Sequence, residues 1–102
     1  SNTSYQDIAK LAEASGRPAD TLAIHFFAPA HRMKLAEIGV TEANDPQTIV
    51  TAHAFAKALA KIPVCCAAKP GFIGNRILQA YRRVGMAPFK AALYPQAAVA
   101  AE

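Results

Sequence analysis

Two apolar segments of the chain each enclose one ionisable residue, and this pairing limits the possible folds more than any other feature. His25 lies in the apolar run 21–27, and twelve residues later Glu37 lies in the run 33–38. Burying an ionisable side chain costs free energy unless a partner satisfies it. A short polar turn joins the two runs, so two strands can bring these residues together. We therefore predict a buried pair in which Glu37 tunes His25 as a general base.

The hydrophobic periodicity divides the rest of the chain into further helices and strands. The near-continuous apolar run 21–27 is typical of a strand inside a parallel sheet. Asn44-Asp45-Pro46 indicates a helix entry, with a capping side chain before a proline in the first turn. The predicted order is helix, strand, strand, helix, strand, helix, over residues of about 4–16, 21–27, 33–38, 44–61, 62–66 and 73–84. This pattern predicts an α/β fold.

Four short motifs identify a family resemblance. They are SNTS at 1–4, HFF-x-P at 25–29, MKL-x-E at 33–37 and PGF-I-x-NR at 70–76. In this order and spacing they resemble the second half of an (S)-3-hydroxyacyl-CoA dehydrogenase. The nearest likeness is to the dehydrogenase part of bacterial multifunctional fatty-acid β-oxidation enzymes, in which HFF is followed by a small residue and Pro-Ala-His. The resemblance covers residues 1 to about 83.

The resemblance implies a specific domain organisation. Residues 1–69 would be the C-terminal part of an NAD-binding and catalytic domain, an incomplete second half of a Rossmann-like fold. Residues 70–102 would be the start of a helical substrate and dimerisation domain, truncated in this chain. The segment 84–89 resembles a turn that the relatives carry much later, which implies an internal deletion. We therefore expect a fragment.

The resemblance also implies a reaction and the residues that perform it. The reaction is the oxidation of an (S)-3-hydroxyacyl-CoA to a 3-oxoacyl-CoA with reduction of NAD. His25 would take the hydroxyl proton, while Glu37 would hold its tautomer and stabilise the imidazolium. Ser4 would bind the reacting oxygen near the nicotinamide, Asn75 would bind the substrate, and Asn2 would line the cofactor side with Ser4. From the residues alone, Ser4 could instead be a helix N-cap, worth roughly 1 kcal/mol.

The cofactor site is incomplete in this sequence. No Gly-x-Gly-x-x-Gly occurs in the chain, so the pyrophosphate cradle of a dinucleotide-binding domain is absent. We therefore expect the isolated chain to be inactive and to bind NAD weakly. The alternative hypothesis is a non-catalytic remnant that acts as a small binding or self-associating module through an uncovered sheet edge.

Charge and composition restrict the partners. Residues 1–45 contain four basic and six acidic side chains, whereas 46–101 contain seven basic and no acidic ones. This asymmetry fits either a phosphate-bearing partner or a mixed solvated surface that lacks its acidic partner segment. The resemblance implies an acyl-CoA substrate as the partner, and we expect a homo-oligomer or a missing amino-terminal half. Aromatic residues do not interleave with the basic ones, so nucleic acid is not expected. No apolar run approaches the roughly 20 residues of a membrane span.

The cysteines indicate the compartment. Cys65 and Cys66 are adjacent, a spacing that forms neither a disulfide framework nor a metal site. The amino terminus also lacks the basic-then-apolar layout of a signal peptide. We therefore expect a reducing, cytoplasmic setting and no bound metal.

Overall fold

A computed structural model describes residues 1–93 of the chain. The elements are α1 (Ile8–Ala14), a short 3-10 turn (Pro18–Asp20), β1 (Ala23–Phe26), β2 (Leu35–Val40), α2 (Pro46–Ala58), β3 (Ile62–Ala67) and α3 (Gly74–Leu93). The predicted order of helices and strands and the α/β class are confirmed. Within the described residues, no helix is both long and apolar enough to cross a bilayer.

The three strands form one sheet in the order β1-β2-β3. β2 and β3 are parallel and are joined through α2, which makes a βαβ unit. β1 is antiparallel to β2, so the prediction that 21–27 lies inside a parallel sheet was wrong. The physical reason is the short connection over residues 27–34, because a parallel pair needs a crossover of a dozen or more residues.

The first two helices begin at acidic caps. The Asp7 side chain accepts a hydrogen bond from the backbone N–H of Lys10, and α1 starts one residue after Asp7. Ser4 is therefore not the N-cap, and its hydroxyl is available for another role. Asp45 caps α2 in the same way, with Pro46 at the first helical position, as the sequence predicts.

The last helix is longer than predicted. α3 continues past the expected end near Val84 and runs through Gly85 and Pro88 to Leu93, so the segment 84–89 is helical and is not a turn. Pro88 removes one intrahelical hydrogen bond. The alanine, methionine and lysine residues around it are good helix formers, and they offset this loss on an exposed helix.

The core lies on both faces of the sheet, with Ala36 and Ile38 of β2 and Ala52 and Ala56 of α2 buried in addition to the residues next to the ionisable pair. A cluster of Ile8, Ala23 and Phe72 joins α1, β1 and the turn before α3. Side chains two residues apart on a strand share a face, so His25 follows Ala23 toward the same side. Opposite them in the strand register lie Gly39 and Glu37. The sheet thus carries its ionisable pair next to its core.

Candidate active site

The His25–Glu37 pair is held by direct strand pairing. The two residues are register partners in the antiparallel ladder, and Nδ1 of His25 lies 2.9 Å from Oε1 of Glu37. His25 is 8% exposed and Glu37 only 1%. A carboxylate can only accept, so Nδ1 carries the hydrogen and Nε2 of the neutral ring is an acceptor. In the neutral ring, this bond therefore selects the tautomer with a free lone pair on Nε2, which a general base needs.

The second carboxylate oxygen of Glu37 has two further partners. The backbone N–H groups of Ile73 and Gly74 each donate to Oε2 at 2.9 Å. These donors stand at the start of α3, where unpaired N–H groups and the helix dipole favour a negative charge. Glu37 thus connects the imidazole to the entry of α3. These two donors were not predicted from the sequence, although Pro70-Gly71 signals the turn that directs them toward Glu37.

Ser4 and Asn75 lie on the Nε2 side of the ring. The Nδ2 amide of Asn75 donates to Oγ of Ser4 at 2.9 Å and lies 3.4 Å from Nε2 of His25. Ser4 is buried, and its carbonyl accepts a hydrogen bond from the backbone N–H of Gly71. Four of the predicted site residues therefore form one connected cluster, made of His25, Glu37, Ser4 and Asn75.

Asn2 does not join this cluster. Its Oδ1 accepts a hydrogen bond from the backbone N–H of Phe26 at 2.7 Å, and the carbonyl of Ser1 accepts one from Ile24, also at 2.7 Å. Residues 1–2 thus lie along the outer edge of β1. The role of Asn2 toward a cofactor stays a prediction.

The cysteines offer no alternative nucleophile in this site. Burial raises the pKa of the Cys66 thiol, and the nearby Glu37 carboxylate and Cys65 raise it further. The thiol of Cys66 is therefore protonated near neutral pH, whereas thiol chemistry needs the thiolate. Across residues 1–93, no group of three or more His, Cys, Asp or Glu side chains could hold a metal ion.

Comparison with known proteins identifies the family. A βαβ unit beside a buried His–Glu pair makes this an α/β domain with the parts of an acid–base centre. The family model described as "3-hydroxyacyl-CoA dehydrogenase, NAD binding domain" matches residues 1–69. The chain belongs to this family, and the resemblance found in the four motifs is confirmed.

Individual relatives agree with this assignment. The chain is 40% identical over 80 residues to the peroxisomal bifunctional enzyme of Cavia porcellus. This alignment covers 78% of this chain and 11% of the relative. It is 41% identical over 81 residues to the fatty acid oxidation complex subunit alpha of Shewanella loihica. This second alignment covers 79% of this chain and 12% of the relative. The crystal structure of (S)-3-hydroxybutyryl-CoA dehydrogenase from Ralstonia eutropha superposes with a TM-score of 0.84 at 32% identity, covering 90% of this chain and 32% of that one. The chain thus spans about a tenth of these curated relatives and a third of that structure. The Rossmann-like character of the fold is confirmed.

Proposed function

We propose that this chain supplies the acid–base half of the active site of an NAD-dependent 3-hydroxyacyl-CoA dehydrogenase of fatty-acid oxidation. The observation that carries the proposal is the 2.9 Å hydrogen bond between Nδ1 of His25 and Glu37, which turns the other ring nitrogen, Nε2, toward Asn75 and its partner Ser4. The substrate class is a (S)-3-hydroxyacyl-CoA, and the product is the 3-oxoacyl-CoA. The family match and the names of the relatives support this choice.

His25 is the proton acceptor in the proposed reaction. Its Nε2 takes the proton of the 3-hydroxyl group as the C–H bond at the same carbon breaks and the C–O bond becomes a carbonyl. Imidazole suits this task because it accepts and returns a proton near neutral pH, so the same group serves both directions. The Glu37 carboxylate stabilises the imidazolium that forms. When NAD is bound, it supplies the acceptor for the hydride.

The proposed roles of Ser4 and Asn75 follow from their mutual hydrogen bond. Because Asn75 donates to Oγ of Ser4, the Ser4 hydroxyl hydrogen is free to point at the reacting oxygen. The second amide hydrogen of Asn75 faces Nε2 of His25 at 3.4 Å, and it can contact the same oxygen or the thioester once the substrate lies between them. Together they orient the substrate oxygen toward Nε2 of His25.

A Ser4→Ala substitution measures this contribution. In a catalytically competent chimera, we expect turnover to fall about tenfold, the value of one net hydrogen bond of about 1.4 kcal/mol. Thr3→Ala, at the neighbouring position, is the control and should leave turnover unchanged. Equal losses in the two variants would contradict the role of Ser4.

The residues of this chain fit only the nicotinamide end of NAD. Ser4 lies beside His25 and Asn2 follows the outer edge of β1, so we propose that these two residues line the nicotinamide side. The sequence holds no glycine-rich phosphate cradle. We therefore propose that a glycine-rich strand–turn–helix from an amino-terminal half or another subunit holds the pyrophosphate.

The experiment that tests the proposal compares the chain alone with a completed enzyme. Oxidation of 3-hydroxybutyryl-CoA is followed by NADH absorbance for the purified chain, and for a chimera joined to the cofactor-binding half of a relative. We expect negligible turnover from the chain alone and measurable turnover from the chimera. Turnover by the chain alone would contradict the proposal that a separate segment must bind the pyrophosphate. A folded but inactive chimera would contradict the proposed dehydrogenase function.

We also propose a domain boundary after residue 69 and a cytoplasmic location. The family match over residues 1–69 and the turn before α3 support the boundary. Residues 70–102 would then begin the helical substrate and dimerisation domain, and residues 94–102 of this range lie outside the described residues. The free thiols of Cys65 and Cys66 support a reducing compartment, and the matched relatives include a bacterial complex as well as a peroxisomal enzyme.

A second candidate function is self-association, and α3 favours it. The helix exposes an apolar row with spacings of four and three residues, in which Ile77, Tyr81 and Val84 are 65%, 75% and 73% exposed. Residues at these spacings share one helix face. A contiguous exposed apolar face is typical of an interface. A second copy of the chain could cover it.

The self-association of the chain is testable by light scattering. We expect the wild-type chain to form dimers or larger species, and Val84→Glu to weaken association at least tenfold, because each copy loses a buried valine worth about 1.5–3 kcal/mol. Gln79→Glu introduces the same charge outside the apolar row and should have little effect. A monomeric wild-type chain at high concentration would argue against this candidate.

A further inference from the structure

Two phenylalanine rings flank the imidazole of His25 and have no role in the proton transfer described above. The ring centroid of Phe27 lies 4.7 Å from that of His25 at an interplanar angle of 66°. The centroid of Phe72 lies 6.0 Å away at 87°. Both are edge-to-face arrangements, which aromatic pairs prefer at these distances. The imidazole is thus in contact with one ring from the end of β1 and one from the turn before α3.

Each phenylalanine ring packs directly against a glycine. A Cβ atom on Gly74 would lie 2.6 Å from Cζ of Phe27, and a Cβ on Gly39 would lie 2.6 Å from Cζ of Phe72. Both distances are far below van der Waals contact, so any larger residue would displace the ring. Gly39 belongs to β2 and Gly74 opens α3. The two glycines therefore let the rings reach the imidazole.

The turn that carries Phe72 is held in an uncommon conformation. Phe72 has a φ of +46°, a left-handed backbone that residues with a side chain rarely adopt. Gly71 before it also has a positive φ. The Phe72 ring is nonetheless buried in the core cluster with Ile8 and Ala23. Burial of the ring stabilises the turn that delivers the Ile73 and Gly74 N–H groups to Glu37.

We propose that Phe27 and Phe72 are positioning residues that fix the plane of the His25 imidazole between them. Two polar contacts hold the ring nitrogens, the hydrogen bond at Nδ1 and the 3.4 Å contact between Nε2 and Asn75. Neither contact supports the faces of the ring, and a ring that tilts moves its Nδ1–H group out of line with Glu37. The two edge-to-face contacts prevent this tilt and keep Nε2 facing Asn75. Proton transfer is sensitive to such placement, since a misplacement of about 1 Å can cost about 10²-fold in rate. This inference rests on the proposed base role of His25.

Nitrogen-15 NMR of histidine side chains in the full chain tests the proposal without any turnover. In the wild-type chain we expect one dominant His25 tautomer and a downfield Nδ1–H resonance, assigned by its loss in His25→Gln. Phe27→Leu and Phe72→Leu should each abolish the downfield resonance and move the nitrogen shifts toward those of a free imidazole. Gly74→Ala should do the same, because it displaces the Phe27 ring without removing it.

Matched controls separate positioning from general destabilisation. Phe26→Leu is the same substitution one residue earlier, on the opposite face of β1, and it should keep the resonance. Ile8→Val loosens the cluster around Phe72 without touching the imidazole, and it should keep the resonance too. A loss in the controls equal to that in the variants, or an unchanged signal in folded Phe27→Leu and Phe72→Leu, would overturn the proposal. If both leucine variants unfold, an unchanged signal in Gly74→Ala would overturn it.

The NMR result is distinguishable from the outcome of the enzymatic test. A chimera without activity, together with a His25 signal that responds to Phe27 and Phe72, would refute the dehydrogenase function and leave the positioning intact. An active chimera with an unresponsive signal would refute only the positioning.

Discussion

Replacing His25 by glutamine in the chimera with a cofactor-binding half should lower turnover by roughly 10²–10⁴-fold, the usual contribution of a positioned general base. Glutamine retains polarity and approximate size but cannot accept the hydroxyl proton. His25 contacts no part of the proposed pyrophosphate site, so NAD affinity should change little. Steady-state kinetics and a separate NAD titration measure the two effects. His31→Gln, an exposed position in the β1–β2 connection, is the matched control and should retain full turnover.

Glu37→Gln should cause a loss in a similar range by a different route. The glutamine amide would turn an N–H group toward Nδ1 of His25, where the carboxylate accepts at 2.9 Å. The ring would then carry its hydrogen on Nε2, which is the wrong tautomer for a base facing the substrate. The charge that stabilises the imidazolium would be lost as well.

The double variant tests whether the two residues act as one unit. If they do, the His25→Gln and Glu37→Gln double variant should be scarcely slower than the poorer single variant. Losses that multiply would show that Glu37 acts on the reaction separately from His25. The paired assignment would then be wrong.

Glu37→Leu should destabilise the fold more than any other single change in the site. It leaves the buried N–H groups of Ile73 and Gly74 without an acceptor and leaves His25 without its partner. Removing one member of a buried pair costs about 3–5 kcal/mol. That is a large share of the roughly 5–15 kcal/mol that holds a typical domain together. We expect a strongly lowered urea midpoint, or loss of the cooperative transition, in circular dichroism.

Glu42→Leu is the control for this measurement. Glu42 is exposed, so the same substitution there should change the free energy of unfolding by no more than about 0.5 kcal/mol. Equal midpoints for Glu37→Leu and the wild-type chain would mean that the entry of α3 does not depend on the carboxylate.

The helices and strands were largely predictable because local signals define them. Asp45-Pro46 caps α2 where the sequence places it, and the apolar runs around His25 and Glu37 become neighbouring strands. Local signals were ambiguous at Ser4, where a serine before a helix suits both a cap and a site. They also failed at Pro88. A proline usually marks the end of a helix, but the helix-forming residues around Pro88 keep α3 continuous.

The sequence by itself determined that His25 and Glu37 lie in apolar segments close enough to pair, and its motifs identified the family. Only the tertiary structure decided the strand register, which places the two residues directly opposite each other. It also decided the contacts between distant segments, such as the hydrogen bond between Ser4 and Asn75 across 71 residues. Sequence periodicity reports which face a side chain takes within one element. Which elements meet, and how closely, depends on packing the whole core, and here that packing brings the entry of α3 onto Glu37.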